Sequence, residues 1–145
     1  MLTNSDITVV CAVDNPYAMM VTTMIKSLEQ SHESNEKIHV FIIDNGLTKI
    51  SRWKLKQSIN SSKIQLVWLS VNEESLKLLN LNNYYKSLTT HYYRLLIPYL
   101  LPDKFSKVIY LDSDLLILKD LNDLWHKRFD DNIVLAVQDS RIRYV

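Results

Sequence analysis

The chain has 145 residues, 47% of them hydrophobic, which is enough for one globular domain with a buried core. Its 17 basic and 16 acidic residues nearly cancel, and no run of Lys or Arg indicates a nucleic-acid surface or a polybasic membrane patch. Cys11 is the only cysteine and Gly46 the only glycine, which excludes a disulfide framework, a thiolate zinc site and glycine-rich phosphate loops. Small molecules are the expected partners.

The first predicted elements are a strand and a helix. Residues 7–13 are apolar and rich in β-branched side chains, which predicts a buried strand that holds Cys11 as a reduced thiol. Pro16 suits the first position of a helix, with Asn15 as its cap. Apolar residues at positions 17, 20, 21, 24, 25 and 28 give that helix one apolar face.

The pattern then repeats. Residues 38–43 form a second predicted strand, residues 44–46 a turn, and Thr48 caps a helix that carries Ile50, Trp53 and Leu55. Residues 64–69 form a third strand. The order β-α-β-α-β predicts an α/β fold, a Rossmann-like and mostly parallel sheet with flanking helices. All three tryptophans, Trp53, Trp68 and Trp125, are expected in the core, and the four histidines at the surface or as caps.

The second half is less regular. Residues 71–87 favour an irregular loop with one helical turn, after which Thr89 or Thr90 caps a helix over 91–97 that Pro98 ends or kinks. Residues 108–111 predict a fourth strand and residues 133–137 a later one. Residues 121–125 are expected to pack between these two strands.

The strongest chemical feature is Asp112-Ser113-Asp114 at the end of the fourth predicted strand. Open α/β sheets bind ligands at the carboxyl ends of their strands. Two carboxylates one residue apart are hard oxygen ligands, suited to Mg²⁺ or Mn²⁺ and, through the metal, to a diphosphate. Taken alone, an Asp-x-Asp sequence is more often a solvent-facing turn.

Four ordered blocks of the chain resemble bacterial glycosyltransferases of family 8, which include lipopolysaccharide glucosyl- and galactosyltransferases. The blocks are residues 11–18, 26–28, 92–98 and 107–114, the last followed by Leu121, Leu124 and Trp125. The resemblance implies a nucleotide-diphospho-sugar transferase (GT-A) fold, with residues 1–145 as one nucleotide-sugar-binding domain. It also implies that this is an incomplete catalytic domain, truncated at its C-terminus, because relatives are longer and supply a later histidine as third metal ligand.

The resemblance further implies roles for particular residues. Asp112 and Asp114 would bind Mn²⁺ or Mg²⁺, which holds the UDP diphosphate. The uridine and donor pocket would be formed by Ala12, Asp14, Asn15, Tyr17, Arg94, Asp112 and Ser113. Asp112, Arg94 and Asp139 would act in catalysis, with Arg94 offsetting charge on the leaving UDP. Alternatives are an Arg94 ion pair with Asp103 and a turn role for Asp139.

The implied function is transfer of a hexose, glucose or galactose, from a UDP-sugar to a saccharide, a lipid-linked saccharide or another hydroxyl acceptor. The transfer would be metal-dependent and would retain configuration. Cytoplasmic location is expected, with peripheral contact at the inner membrane, and self-association or a second polypeptide would supply the missing half. Two alternatives stay open: a UDP-binding fragment without catalysis, and a phosphatase of the haloacid dehalogenase type, whose Asp-x-Asp also follows a strand.

Overall fold

The structure, a computed structural model, describes residues 6–79 and 89–137. The strands of this part are β1 (Ile7–Asp14), β2 (Ile38–Asn45), β3 (Ile64–Ser70) and β4 (Ile109–Tyr110). The helices are α1 (Ala18–Ser31), α2 (Lys49–Ser58), α3 (Glu73–Leu78), α4 (Thr89–Tyr92), α5 (Ile97–Leu100) and α6 (Asn122–Trp125), and 3-10 helices cover Asn15–Tyr17 and Tyr93–Leu96. The strands are parallel, in the order β3-β2-β1-β4. The predicted α/β architecture is confirmed.

Both faces of the central strand β1 are covered. One face packs against α1, whose fully buried apolar residues are Val21, Met24, Ile25 and Leu28. The other face packs against the second 3-10 helix, through Tyr93 and Leu96. A strand covered on both faces is mostly apolar, which explains the run of apolar residues that predicted it, interrupted only by the buried Thr8. Each fully buried Leu, Ile or Met contributes about 1.5–3 kcal/mol.

Asp14, and not Asn15, caps the helical segment after β1. Its Oδ1 accepts a hydrogen bond from the Tyr17 backbone N–H at 3.3 Å, and Asn15–Tyr17 is a 3-10 helix that leads into α1. The predicted cap was wrong because β1 continues to Asp14 and moves the boundary by one residue. Tyr17 and Met20, expected on the apolar face, are 41% and 49% exposed.

The turn after β2 is confirmed. Asp44 Oδ1 accepts hydrogen bonds from the backbone N–H groups of Gly46 and Leu47 at 2.9 and 2.8 Å. Gly46 has a φ of 93°, a left-handed conformation that strains residues with a Cβ. Thr48 caps α2 as predicted, because its Oγ1 accepts a hydrogen bond from the Ser51 N–H at 3.1 Å.

The apolar residues of α2 do not all reach the core. Leu55 is 1% exposed, whereas Ile50 and Trp53 are 66% and 61% exposed. The core expectation for Trp53 was therefore wrong, since Leu55 alone among the three lies on the buried face of α2. Trp125 is buried as expected, and Trp68 is partly buried against the same core.

Residues 89–100 form a longer helical segment than predicted. Thr89 and Thr90 lie inside α4 and are not caps, and the helical path continues through Tyr93–Leu96 into α5. Pro98 falls within the first turn of α5, where its missing N–H is not needed. It therefore does not end the helical segment at residue 97. The helical turn expected within 71–87 is α3, and residues 80–88 lie outside the described part.

Residues 111–137, which follow β4, have little regular structure. The predicted strand 108–111 is reduced to Ile109–Tyr110, although the Leu111 N–H still donates to Val10 O at 2.9 Å. The prediction of a strand at 133–137 was wrong: among the described residues no strand pairs with it, and Ile133 and Val137 are 94% and 97% exposed. Leu121 is buried, but residues 121–125 do not pack between two strands as expected, because the second of those strands does not form.

Asp120 joins this segment to the loop after α1. Its Oδ2 accepts hydrogen bonds from the backbone N–H groups of Glu33 and Ser34, both at 2.7 Å, and its Oδ1 from that of Asn122 at 2.9 Å. The Nδ1 atom of His32 lies 3.3 Å from Oδ1. Burial alone would raise the pKa of Asp120, but these hydrogen bonds outweigh it and hold the pKa well below its usual value.

The rings of two histidines are buried, against the expectation of surface or cap positions. His39 is 4% exposed and its Nε2 lies 3.1 Å from Oδ2 of Asp6, itself 8% exposed, at the amino end of the sheet. The ring of His32 is 2% exposed beside Asp120. The expectation failed because each ring finds a carboxylate partner far away in sequence. Within residues 6–79 and 89–137, no helix has the length and apolarity needed to span a bilayer.

Candidate donor-binding site

A cleft of about 130 Å³ lies where β1 and β4 end. The first strand and the turn after it contribute Ala12, Val13, Asp14 and Tyr17; the helical segment contributes Thr90, His91 and Arg94; and the end of β4 contributes Tyr110, Asp112, Ser113 and Asp114. Small-molecule sites typically enclose roughly 300–1,000 Å³. The cleft is therefore smaller than a typical small-molecule site.

Arg94 and Asp112 form the charged centre of the cleft. The Arg94 Nη2 atom donates to Asp112 Oδ1 at 3.0 Å, and its Nε donates to the His91 carbonyl oxygen at 2.9 Å. The guanidinium carbon lies 4.7 Å from the centroid of the Tyr110 ring. The Arg94 side chain is thus fixed by three groups, which orders a cation at the mouth of the cleft.

Solvent exposure limits what this ion pair contributes to folding. The side chains of Arg94 and Asp112 are 41% and 50% exposed, and exposed pairs contribute about 0–1 kcal/mol. Burial raises the pKa of Tyr110; the carboxylate of Asp112 adds to the rise and Arg94 opposes it. The phenol therefore stays protonated at neutral pH, with Asp112 as its hydrogen-bond partner.

The fit of a divalent metal rests on Asp112 and Asp114. Both line the cleft with exposed side chains, and carboxylate oxygens are the ligands that Mg²⁺ and Mn²⁺ prefer. In the described part of the chain, however, no group of three or more His, Cys, Asp or Glu side chains comes together. The pair thus fits as part of a coordination shell that diphosphate oxygens and other ligands would complete.

Asn45, at the end of β2, holds the helical segment against the sheet. Its Nδ2 donates to Thr90 Oγ1 at 2.6 Å, and its Oδ1 accepts from the Tyr93 hydroxyl at 3.0 Å. Tyr93 is 4% exposed and directly precedes Arg94. The position of Arg94 over the cleft therefore depends on hydrogen bonds that start on a different strand.

Most of the predicted site residues meet in this cleft. Those that line it are Ala12, Asp14, Tyr17, Arg94, Asp112, Ser113 and Asp114. Asn15 is not among them: its Oδ1 accepts hydrogen bonds from the Thr48 N–H at 3.1 Å and the Ser51 hydroxyl at 2.8 Å, and so braces the start of α2. Asp139 lies outside the described residues. The alternative pairing of Arg94 with Asp103 is replaced by its pairing with Asp112.

The sequence interpretation missed Val13, Thr90, His91 and Tyr110 as lining residues. Val13 and Tyr110 were taken as parts of apolar strands, Thr90 as one of two possible caps, and His91 as a surface or cap residue. For Tyr110 a signal was present, because strand residues just before an acidic turn lie at the same sheet edge as that turn.

The parallel sheet, with two carboxylates following its last described strand, defines a nucleotide-diphospho-sugar transferase fold of the GT-A type, as the similarity to solved glycosyltransferases also shows. The family follows from the sequence itself. Residues 8–145 match Glycosyl transferase family 8, and the chain belongs to this family. The resemblance and the fold that it implied are confirmed.

Individual relatives agree with this assignment. General stress protein A of Bacillus subtilis (strain 168) is 27% identical over 131 residues, which are 90% of this chain and 45% of that protein. The galactosyltransferase LgtC, solved with donor and acceptor sugar analogues, is 28% identical with a TM-score of 0.69 over 85% of this chain and 43% of its own. The bifunctional glycosyltransferase WbbM has a TM-score of 0.73 at 20% identity over 89% of this chain and 22% of its own, a likeness of fold. This chain spans less than half the length of these proteins.

Proposed function

We propose that this chain provides the donor-binding half of a metal-dependent glycosyltransferase that transfers a hexose, glucose or galactose, from a UDP-sugar. The observation that carries the proposal is the placement of Arg94, Asp112 and Asp114 around one cleft at the carboxyl end of a parallel sheet. Family membership and the likeness to a galactosyltransferase solved with donor and acceptor analogues support it.

Each part of the donor has a binding group in this proposal. Ala12, Asp14 and Tyr17 contact uridine, and Asp112 and Asp114 hold Mn²⁺ or Mg²⁺ with the diphosphate. When bound, the metal supplies positive charge that stabilises the departing UDP. Arg94 adds a second positive charge beside Asp112. The neutral phenol of Tyr110 can donate a hydrogen bond at the same place.

In the proposed reaction the bond between the anomeric carbon and the UDP oxygen breaks, and UDP leaves with the electron pair. An acceptor hydroxyl, on a saccharide or a lipid-linked saccharide, forms the new glycosidic bond, and its proton passes to the oxygen of the departing UDP. The configuration of the anomeric carbon is retained. Positioning of the two reactants by the protein lowers the barrier, because it replaces an encounter in solution.

A UDP-binding protein without turnover is the second candidate. It is favoured by the described cleft, which has two exposed carboxylates but no set of three metal-binding side chains. If self-association or a second polypeptide supplied the acceptor side, covering exposed residues such as Leu116 and Leu118, turnover would be expected instead. The phosphatase alternative has lost its basis, because the Asp-x-Asp segment lies within the match to family 8.

Calorimetry of UDP binding, with and without Mn²⁺, tests the proposal. We expect binding that requires the metal and is lost in Asp112→Ala and Asp114→Ala. Asp103→Ala, an exposed acid outside the cleft, is the matched control and should bind as the parent does. Metal-independent binding, or equal loss in the control, would contradict the proposed site. Release of UDP from a UDP-hexose in the presence of acceptor sugars then separates transferase from binding protein.

A further inference from the structure

The outward face of α2 exposes two large apolar side chains. Ile50 and Trp53 are 66% and 61% exposed, and a spacing of three residues places them next to each other on the helix surface. Leu55, on the opposite side of α2, is 1% exposed and anchors the helix to the core. The pair is therefore held outward by a fixed element.

Basic residues surround this pair. Residues 49–58 contain four of the 17 basic residues and none of the 16 acidic ones. Arg52 is partly neutralised, because its Nε lies 2.6 Å from Asp44 Oδ2. Lys49, Lys54 and Lys56 are exposed, and no acid of the described chain forms an ion pair with them. The sequence showed no basic run because other residues separate these lysines.

We propose that this face of α2 binds an anionic phospholipid surface. Tryptophan favours the boundary between water and hydrocarbon, and lysine side chains beside it reach lipid phosphates. Anionic membranes attract such clusters, and the attraction adds up over the lysines. A second copy fits poorly, because a symmetric contact would place three lysines against three lysines. The surface area of two exposed side chains is also far smaller than the roughly 800 Å² that each partner buries in a stable protein interface.

The position of α2 gives this contact a consequence for the cleft. Asn15 directly follows the cleft residue Asp14, and its side chain bonds to Thr48 and Ser51 at the start of α2. A membrane held against α2 therefore lies close to one rim of the cleft. The inference goes beyond the proposed function and stands without it, since its test needs neither nucleotide nor metal.

Co-sedimentation of the 145-residue chain with lipid vesicles tests the inference. We expect binding to vesicles of equal parts phosphatidylcholine and phosphatidylglycerol, and none to phosphatidylcholine alone. The triple variant Lys49→Gln, Lys54→Gln, Lys56→Gln should bind about 100-fold more weakly. The control triple Lys104→Gln, Lys119→Gln, Lys127→Gln makes the same charge change on exposed lysines elsewhere and should bind like the parent.

Tryptophan emission gives a second readout on the same samples. Anionic vesicles should shift the emission to the blue in the parent, and the shift should vanish in Trp53→Phe, which keeps Trp68 and Trp125. Equal loss of binding in both triple variants, absence of binding, or a shift that survives Trp53→Phe would overturn the inference. Dimers that dissociate in the first triple, or tighter binding to a single-stranded oligonucleotide than to vesicles, would also overturn it.

Discussion

Charged side chains are buried at the amino end of the sheet and exposed at its carboxyl end. At the amino end, Asp6 and His39 are 8% and 4% exposed and have each other as partners. At the carboxyl end, Arg94 and Asp112 are 41% and 50% exposed at the mouth of a cleft. Buried polar groups need protein partners, whereas exposed ones remain open to a ligand. The amino end should therefore govern stability, and the carboxyl end binding.

Removal of the amino-end carboxylate should have the largest effect. Asp6→Ala leaves the buried ring of His39 without this partner, and we expect a loss of about 2–3 kcal/mol in the free energy of unfolding. Urea denaturation of the variant and of Asp103→Ala measures the difference. UDP affinity of the folded variant should stay unchanged. If Asp6→Ala were as stable as the parent but bound UDP more weakly, the view that the amino end governs stability and the carboxyl end binding would be wrong.

Removal of the cation at the carboxyl end, Arg94, should weaken ligand binding and leave stability nearly unchanged. We expect Arg94→Ala to weaken UDP binding in Mn²⁺ by about 30-fold, since a hydrogen bond to a charged group contributes about 1.5–3 kcal/mol. The melting temperature should hardly change, because the pair with Asp112 is exposed. Arg94→Lys keeps the charge but loses the planar guanidinium, so its UDP affinity should lie between those of the parent and of Arg94→Ala. Calorimetry and thermal melting on the same preparations check both expectations.

Asp120 offers a test through pH. Its folded-state pKa lies below the usual value of 3.8, so the stability that it contributes is complete above about pH 4 and is lost as pH falls through the folded pKa. Asp120→Asn should cost about 1–2 kcal/mol at neutral pH. It should also flatten the fall of stability below about pH 4. Parallel pH profiles for parent and variant would count against this view of Asp120.

The smallest effect is expected at the hydrogen bonds that position Arg94. Tyr93→Phe removes the hydroxyl that donates to Asn45 and should cost about 0.5–1 kcal/mol of stability. UDP affinity should fall less than in Arg94→Ala, because Asn45 still holds Thr90. Asn45→Ala, which loses both hydrogen bonds, should have the larger effect on affinity. Equal affinities in the two variants would show that Asn45 does not position Arg94.

The sequence predicted what depends on local patterns. Apolar runs located β1, β2 and β3, and the acids that follow a strand located Asp112 and Asp114 in the cleft. The end of β1 was misjudged by one residue, because Asp14 and Asn15 are both good caps. Residues 133–137 have a strand composition, but a strand needs a neighbour to accept its hydrogen bonds, and the pattern does not say whether one exists.

Contacts between distant segments could not be predicted in this way. Arg94 was expected either at the donor or in an ion pair with Asp103, and only the fold brings it to Asp112. Asn45 was explained by its turn, yet its side chain bonds to residues 45 and 48 positions away. The lysines of α2 show the same limit for charge, since their clustering around Trp53 depends on the helix and on which of its sides is buried.

The Cys11 thiol is a natural probe of how often the sheet opens. The only thiol of the protein lies in the middle of β1 with no exposed surface, and burial raises its pKa to about 12. A thiol reagent can therefore react only during moments when the central strand is uncovered. The labelling rate reports how often β1 is uncovered. A lower rate after addition of UDP and Mn²⁺ would measure how much ligands at the cleft stabilise the sheet against opening.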